Sequence, residues 1–493
     1  MTKKIDKIPP LSEKKHVLRG IVVAGLSGGS GKSVVAVGIT AAYSEQGQNV
    51  IPFKKGPDYI DAGWLHLAAG GPCYNLDPFL MTEKALVESF QSHSAQADMV
   101  VVEGNRGLYD GVDSEGTYSS AELALSLGLP VLLVVDCTKT TRTVAAMVLG
   151  CLKFDNRVDI RGVVLNRIGS SRHESIVRRS VERYTDVRVL GAIPRMKKDV
   201  FPMRHLGVTP YLEHEEAGGT IAFLACSARD CLDLAAIEEI MAEIPAVLDT
   251  PTTPDKGDQS KVRIGIIRDA AFQFYYPENI EALVKEGADI VEINALTDPE
   301  LPDTDGLYIG GGFPETNVRQ LSANISFRKS VKKQAQNGLP IYAECGGLIY
   351  LGESMVLKGV EFPLAAVFPV KFSLEERPQA HGYTILEASA ENPFYQKSTL
   401  IKGHEFRYSK IVDWDGDPDK LAFSVNRGVG FANGRDGLVF RNVLALYTHV
   451  HAVGTPEWAK GLVRKAREYK KNRANVTDHR VTKALPDRKH LAL

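Results

Sequence analysis

Short apolar runs with almost no polar alternation set the first constraint on this fold. "LRGIVVAGL", "ADMVVVEG", "LPVLLVVD", "IRGVVLNR" and "VRVLGAIP" follow one another through the first two hundred residues, and helical stretches such as "SSAELALSLG" and "TRTVAAMVLGCLK" lie between them. A strand buried on both faces reads this way, and such strands joined through helices form a mostly parallel sheet covered on both sides. The pattern stops near residue 247, where "LDTPTTPDKGDQSK" has little apolar content and reads as a linker. It resumes with "VRIGIIRD", "DGLYIGGG" and "LPIYAECGG", and beyond residue 366 it gives way to shorter strands, "HGYTILEA", "KGHEFRYSKI" and "LALYTHVHA". The expected division is an N-terminal extension (1–17), a first α/β domain (18–247), a linker (248–261), a second α/β domain (262–463) and a basic C-terminal tail (464–493).

With 493 residues the chain exceeds what one ordinary core accommodates. A formal net charge of −1 argues against nucleic acid or a membrane surface reached through bulk electrostatics. The six cysteines are scattered and none forms a CxxC pair, so neither a disulfide framework nor a zinc site is indicated. No apolar run reaches transmembrane length and the polar start lacks a signal peptide's apolar stretch, which makes the cytoplasm the expected location. A homodimer stays open.

The loop from Gly25 to Ser33, "GLSGGSGKS", joins an apolar strand to a helix. Backbone N–H groups of Gly28, Gly29, Ser30 and Gly31 can turn around phosphate oxygens at the helix start. Lys32 would reach the terminal phosphates of a nucleotide and Ser33 would ligate Mg²⁺. Five residues, not four, separate Gly25 from "GKS", which departs from the usual P-loop spacing. Glu103 ends a strand where it faces the ligand crevice, and "FKKGPDYIDAGW" supplies Lys54, Lys55, Asp58 and Asp61 on the next loop. Paired acids with lysines suit Mg²⁺, with Asp61 and Glu103 as ligands, and a reacting carboxylate or phosphate.

At "YAECGG" an apolar strand climbs into Cys345 and two glycines permit a sharp turn into a helix. A thiol at a helix start with a histidine nearby is a nucleophile in waiting. His449 and His451 alternate on a strand-like segment and so share a face; His404 and His381 read as structural histidines. Gly310, Gly311 and Gly312 follow a strand, and their N–H groups, with Gly346, can serve an oxyanion.

"SGGSGKS", "FKKGPDYIDAG", "NLDPFLM", "EGNRGLYDG", "VVLNRIGSSRH" and "RHLG", followed by "GLYIGGGFPE", "YAECGGLIYL", "GHEFRYS" and "YTHVH", resemble the cobyrinic acid a,c-diamide synthase family, in the family's order. The resemblance implies a P-loop-type, dethiobiotin-synthetase-like domain followed by a class I glutamine amidotransferase-like domain. It implies an amidoligase that uses ATP and Mg²⁺ to activate a tetrapyrrole carboxylate as an acyl phosphate. Ammonia from L-glutamine then displaces phosphate at the a and c acetates of cobyrinate or hydrogenobyrinate. It also implies Cys345 and His449 as the glutaminase pair, Asn166 and Arg167 beside the adenine, and Lys54, Lys55, Asp58, Tyr109 and Arg407 toward the tetrapyrrole. Lys55, Trp64 and Arg407 depart from residues frequent in the family. They keep a sirohydrochlorin-type substrate (sirohaem or nickel-sirohydrochlorin) as an alternative. A non-catalytic nucleotide switch with a degenerate second domain is the alternative of another class. An acid often follows such a catalytic histidine by two residues, but that place holds His451, so a dyad or support from another group is expected.

Overall fold

The computed structural model describes residues 17–196, 201, 203–204, 207–245 and 261–483. The expected linker, apart from Lys261, and the extension, apart from Val17, lie outside them. In the first half the apolar runs become β1 (Leu18–Gly25), β2 (Val50–Lys55), β3 (Tyr74–Leu76), β4 (Met99–Glu103), β5 (Val131–Asp136), β6 (Ile160–Ile168) and β7 (Arg188–Pro194). They pair in parallel in the order β3-β2-β4-β1-β5-β6-β7, and Ala242–Ile244 adds an antiparallel strand against the start of β1. Strand periodicity explains the runs: Ile21 and Val23 join the core on one face of the sheet, Val22 and Ala24 that on the other. Because β2, β4 and β1 are neighbours, their carboxyl ends bring Lys54, Lys55, Glu103 and the Gly25–Ser33 loop to one edge. The helix α1 (Lys32–Glu45) leaves that loop and packs on Ala217–Cys231, where Gly38 lets the Leu224 carbonyl approach.

The second half has a sheet in the order Ala288–Ile293, Val262–Ile267, Gly306–Ile309, Ile341–Glu344 and Val443–Leu446, all parallel, with Leu438–Phe440 antiparallel at the edge. Beside it lies an antiparallel sheet of Arg435–Asp436, Phe423–Arg427, Ala380–Ala388, Leu400–Arg407 and His449–Val450. Two segments that read as single strands are therefore divided. "LALYTHVHA" breaks at Tyr447–Thr448 and crosses from the parallel to the antiparallel sheet. "KGHEFRYSKI" breaks at Tyr408, so Leu400–Arg407 and Ser409–Asp413 enter different sheets.

Polar contacts join the halves. Asn75 N–H donates to Glu278 at 2.9 Å, the Tyr74 hydroxyl to Glu281 at 2.9 Å, and the Tyr383 hydroxyl to Asp77 at 2.9 Å. Phe79 stacks on Tyr383 with centroids 4.2 Å apart. The last helix, Glu457–Lys483, buries Trp458, Leu462, Val463 and Ala466, so the expected boundary at 463/464 falls inside it. Among the described residues no helix is long and apolar enough to cross a membrane.

Candidate active site

The glycine loop is braced before any ligand arrives. Gly31, at φ 99, caps α1, and a Cβ there would fall 2.0 Å from Asn166 Nδ2, which itself donates to the Ser30 carbonyl at 2.9 Å. Asn166 thus fixes the loop, while Arg167 pairs with Asp136. Lys32 Nζ curls back to donate to the Ser27 carbonyl at 3.0 Å, and burial together with Lys54 lowers its pKa. The Ser33 hydroxyl donates to Glu103 at 2.7 Å, and Lys54 Nζ lies 2.7 Å from Asp61 and 3.2 Å from Glu103. Burial and the charge of Asp61 push Glu103 up to about 7 against the pull of Lys54; burial and Asp61 push Asp58 up to about 6. Such crowding of carboxylates around one lysine is relieved by added positive charge. Ser33, Asp61 and Glu103 are all oxygen donors, and the buried Glu103 Oε2 has no hydrogen-bond partner among the described residues, a set that fits Mg²⁺.

Cys345 occupies a true elbow between Ile341–Glu344 and the helix Gly346–Leu351, with φ 46 and ψ −96, a conformation that costs a non-glycine residue on the order of 1–3 kcal/mol. The glycines around it are sterically required. A Cβ on Gly347 would lie 2.4 Å from the Ile309 carbonyl, and one on Gly311 would lie 2.3 Å from His449 Cε1. His449 is buried opposite His404 in the antiparallel register, and their rings stack at 4.8 Å. Burial opposes its protonation, but Cys345 and Glu344 outweigh it and raise its pKa to about 10.

The support for His449 comes from a residue that the sequence reading did not single out. Glu344 Oε2 lies 3.5 Å from His449 Nδ1, close enough for a charge pair although long for a hydrogen bond. The Glu344 carboxylate is fully buried and receives the Tyr308 hydroxyl at 3.2 Å and the Val450 N–H at 3.2 Å. His451, past the end of its strand, instead faces Glu278 at 3.6 Å and the Tyr276 ring. The arrangement is Cys345–His449–Glu344.

Four expected site residues have other work. The Gly310 N–H donates to the Tyr275 hydroxyl at 2.8 Å, which removes it from an oxyanion hole and leaves Gly311, Gly312 and Gly346 as the candidates. The Tyr109 hydroxyl donates to the Cys151 carbonyl at 2.7 Å, and its ring packs on Phe154 outside the cavity. Trp64 is buried, with its N–H on the Thr209 carbonyl. Arg407 borders the cavity, but both terminal nitrogens donate to the Ser409 and Gly430 carbonyls and its guanidinium lies 3.9 Å over Tyr447. The strand is interrupted at Tyr408, directly after this arginine.

One cavity of about 1200 Å³ runs from Gly28–Ser33 past Lys54, Asp58 and Asp61 to Cys345 and His449. Its volume exceeds the roughly 300–1,000 Å³ of an ordinary small-molecule pocket. At the junction stands Tyr59, on the loop that carries Asp58 and Asp61. Its ring stacks on Phe274 at 5.1 Å and lies 4.4 Å from Tyr276 and 5.4 Å from His449.

A family model described as a CobB/CobQ-like glutamine amidotransferase domain matches residues 263–456, and one described as an AAA domain matches residues 78–202. A cobyrinate a,c-diamide synthase of Magnetococcus marinus is 41% identical over 89% of this chain and 95% of its own length. One from Archaeoglobus fulgidus is 40% identical over 91% of this chain and 98% of its own, and one from Methanosphaera stadtmanae 37% identical over 92% and 100%. A glycine loop of phosphate-binding type and a cysteine elbow in one cavity agree with identity along nearly the whole length: the chain belongs to the cobyrinate a,c-diamide synthase family.

Proposed function

We propose that the protein is a glutamine-dependent amidoligase that converts the a and c acetate carboxylates of cobyrinate or hydrogenobyrinate to amides. The reading is carried by the single cavity that holds both centres. At one end the substrate carboxylate attacks the γ-phosphorus of ATP, forming an acyl phosphate and releasing ADP. The Gly28–Gly31 N–H groups and Lys32 hold the phosphates, and Lys54 offsets the charge that develops there. Mg²⁺, for which Ser33, Asp61 and Glu103 are suited, would neutralise phosphate charge. Asn166, Arg167, Asp58 and Lys55 all border the cavity, and we assign the first two to the nucleotide and the last two to the tetrapyrrole.

At the other end the Cys345 thiolate attacks the glutamine side-chain amide, and N–H groups of Gly311, Gly312 and Gly346 stabilise the oxyanion. His449 gives its proton to the departing ammonia and then takes one from the water that hydrolyses the thioester to glutamate. Ammonia attacks the acyl phosphate, phosphate leaves, and the amide forms. This chemistry is assigned to the cytoplasm.

Incubation with ATP, Mg²⁺, glutamine and a tetrapyrrole panel, with amides counted by mass spectrometry, tests the assignment. Cys345→Ser is expected to lose glutamine-dependent amidation and keep the reaction with free ammonia. Lys32→Ala is expected to lose both, because activation precedes either nitrogen source. Loss of both activities in Cys345→Ser would refute the two-centre scheme.

A further inference from the structure

Part of the cavity wall is built from basic side chains of both halves. Lys55 ends β2 and Arg106 follows β4, whereas His381 and Arg427 come from the antiparallel sheet, and all four line the cavity. Lys55 is only 6% exposed and has no hydrogen bond or ion pair from its ammonium among the described residues. An ammonium that opens onto the cavity without a carboxylate in contact is placed to take up an anion that is not part of the chain. Arg106 lacks an ion pair among the described residues as well and sits at φ 52, a strained backbone position that persists where the surroundings enforce it. The guanidinium of Arg427 lies 5.3 Å over Phe79, with no carboxylate partner among the described residues.

The four groups act on a common space. Burial and then the charge of Arg106 lower the His381 pKa, and Arg106 and Arg427 both bear on Tyr383. Among the described residues Asp77 exerts the largest attraction on the Lys55 charge but forms no ion pair with it. Asp77 accepts the N–H groups of Phe79 and Leu80 at 2.8 and 3.1 Å and the Tyr383 hydroxyl, so its oxygens are committed to holding the two halves together. Asp110, farther along the wall, accepts the Gly107 N–H at 2.8 Å.

We propose that Lys55, Arg106 and Arg427, with His381 beside them, form a carboxylate-recognition wall that holds acid side chains of the tetrapyrrole that are not being amidated. This deepens the proposed function and rests on it. A ring carrying several carboxylates would span the two halves, with one acid at the phosphate loop and others on this wall. Arginine and lysine bind such acids by charge-assisted hydrogen bonds. Specificity would then depend on the number and placement of free carboxylates around the ring.

The test compares Lys55→Met, Arg106→Met, Arg427→Gln and Arg427→Lys with wild type, using cobyrinate, ATP·Mg²⁺ and ammonia or glutamine. Each charge-removing variant is expected to raise the KM for cobyrinate about tenfold or more, the size of one lost charge-assisted contact. KM for ATP and glutamine should stay within about twofold, and Arg427→Lys should recover part of the loss. Absorbance titration of cobyrinate onto variants whose melting temperature matches wild type checks that binding, not folding, has changed. A rise in the KM for ATP in place of cobyrinate, or no change in either, would overturn the wall while leaving the amidation intact. Wild-type protein that binds and amidates neither cobyrinate nor hydrogenobyrinate would overturn the reading beneath it.

Discussion

Glu344 shows how much chemistry one side chain can carry without a motif. It precedes the nucleophile, so it reads as part of the strand that lifts Cys345, yet its carboxylate faces His449, which follows the neighbouring strand Val443–Leu446. A buried carboxylate against an imidazole fixes the ring and stabilises its charged form. Glu344→Gln keeps the shape and removes the charge. It is expected to lower glutamine hydrolysis by about 10²–10⁴-fold and leave ammonia-dependent amidation in place; equal loss of both reactions would assign Glu344 to folding. The His449 proton gives a second expectation. Its folded pKa, about 10, exceeds the ordinary histidine value, so the stabilisation from charging it is complete below pH ~6.5 and is lost as pH rises through about 10. The difference in melting temperature between wild type and His449→Gln should therefore be largest at pH 6 and shrink toward pH 10. A constant gap across that range would contradict the raised pKa. Lys32, Ser33, Glu103, Cys345 and His449 could be proposed from the sequence because each sits at a strand end or helix start with a recognisable neighbour. Glu344 was not, because its partner is defined only when Val443–Leu446 is known to lie beside Ile341–Glu344. Arg407, Tyr109 and Trp64 carried the right chemical groups, but hydrogen bonds to distant carbonyls, invisible in sequence, had already claimed them.

Among the elements, the parallel strands were read directly, since a strand buried on both faces announces itself in unbroken apolar residues. The divided segments were not. Tyr447–Thr448 and Tyr408 contain no glycine or proline to mark a break, and the change of sheet is imposed by packing. That change is what sets His449 against Gly311. The turn Gly310–Gly312 is close-packed on three sides, by Tyr275, by His449 and by the Ala271 carbonyl. Gly311→Ala would put a methyl 2.3 Å from His449 Cε1 and force the ring aside. Overpacking of this kind costs about 1–3 kcal/mol. The expected result is a modest fall in melting temperature and at least a tenfold loss of glutamine-dependent amidation, with the ammonia reaction preserved. Unchanged glutaminase kinetics would mean that His449 tolerates displacement and that its position is not set by this turn.

The molecule as a whole places its two reactions in one space, so the question at this scale is how ammonia is kept from solvent. Tyr59 belongs to the phosphate side by sequence, between Asp58 and Asp61, but to the thiol side by contact, against Phe274, Tyr276 and His449. It is half-buried at the cavity wall with its hydroxyl oxygen out of solvent, and burial raises that hydroxyl's pKa well above the usual value, so it stays neutral. Tyr59→Phe keeps the ring stack and should amidate with one glutamate formed per amide, as in wild type. Tyr59→Ala removes the ring and opens a gap beside His449 at the junction, a truncation that costs about 3–5 kcal/mol in a packed core. If the ring confines ammonia, glutamate formation in Tyr59→Ala should outrun amide formation, and added ammonium should restore amidation. Paired measurement of glutamate and amide distinguishes this from simple damage. A ratio that stays at one while both rates fall together would show that Tyr59 only supports the fold, and that containment of ammonia lies in the closure of the two halves around Asp77, Phe79 and Tyr383.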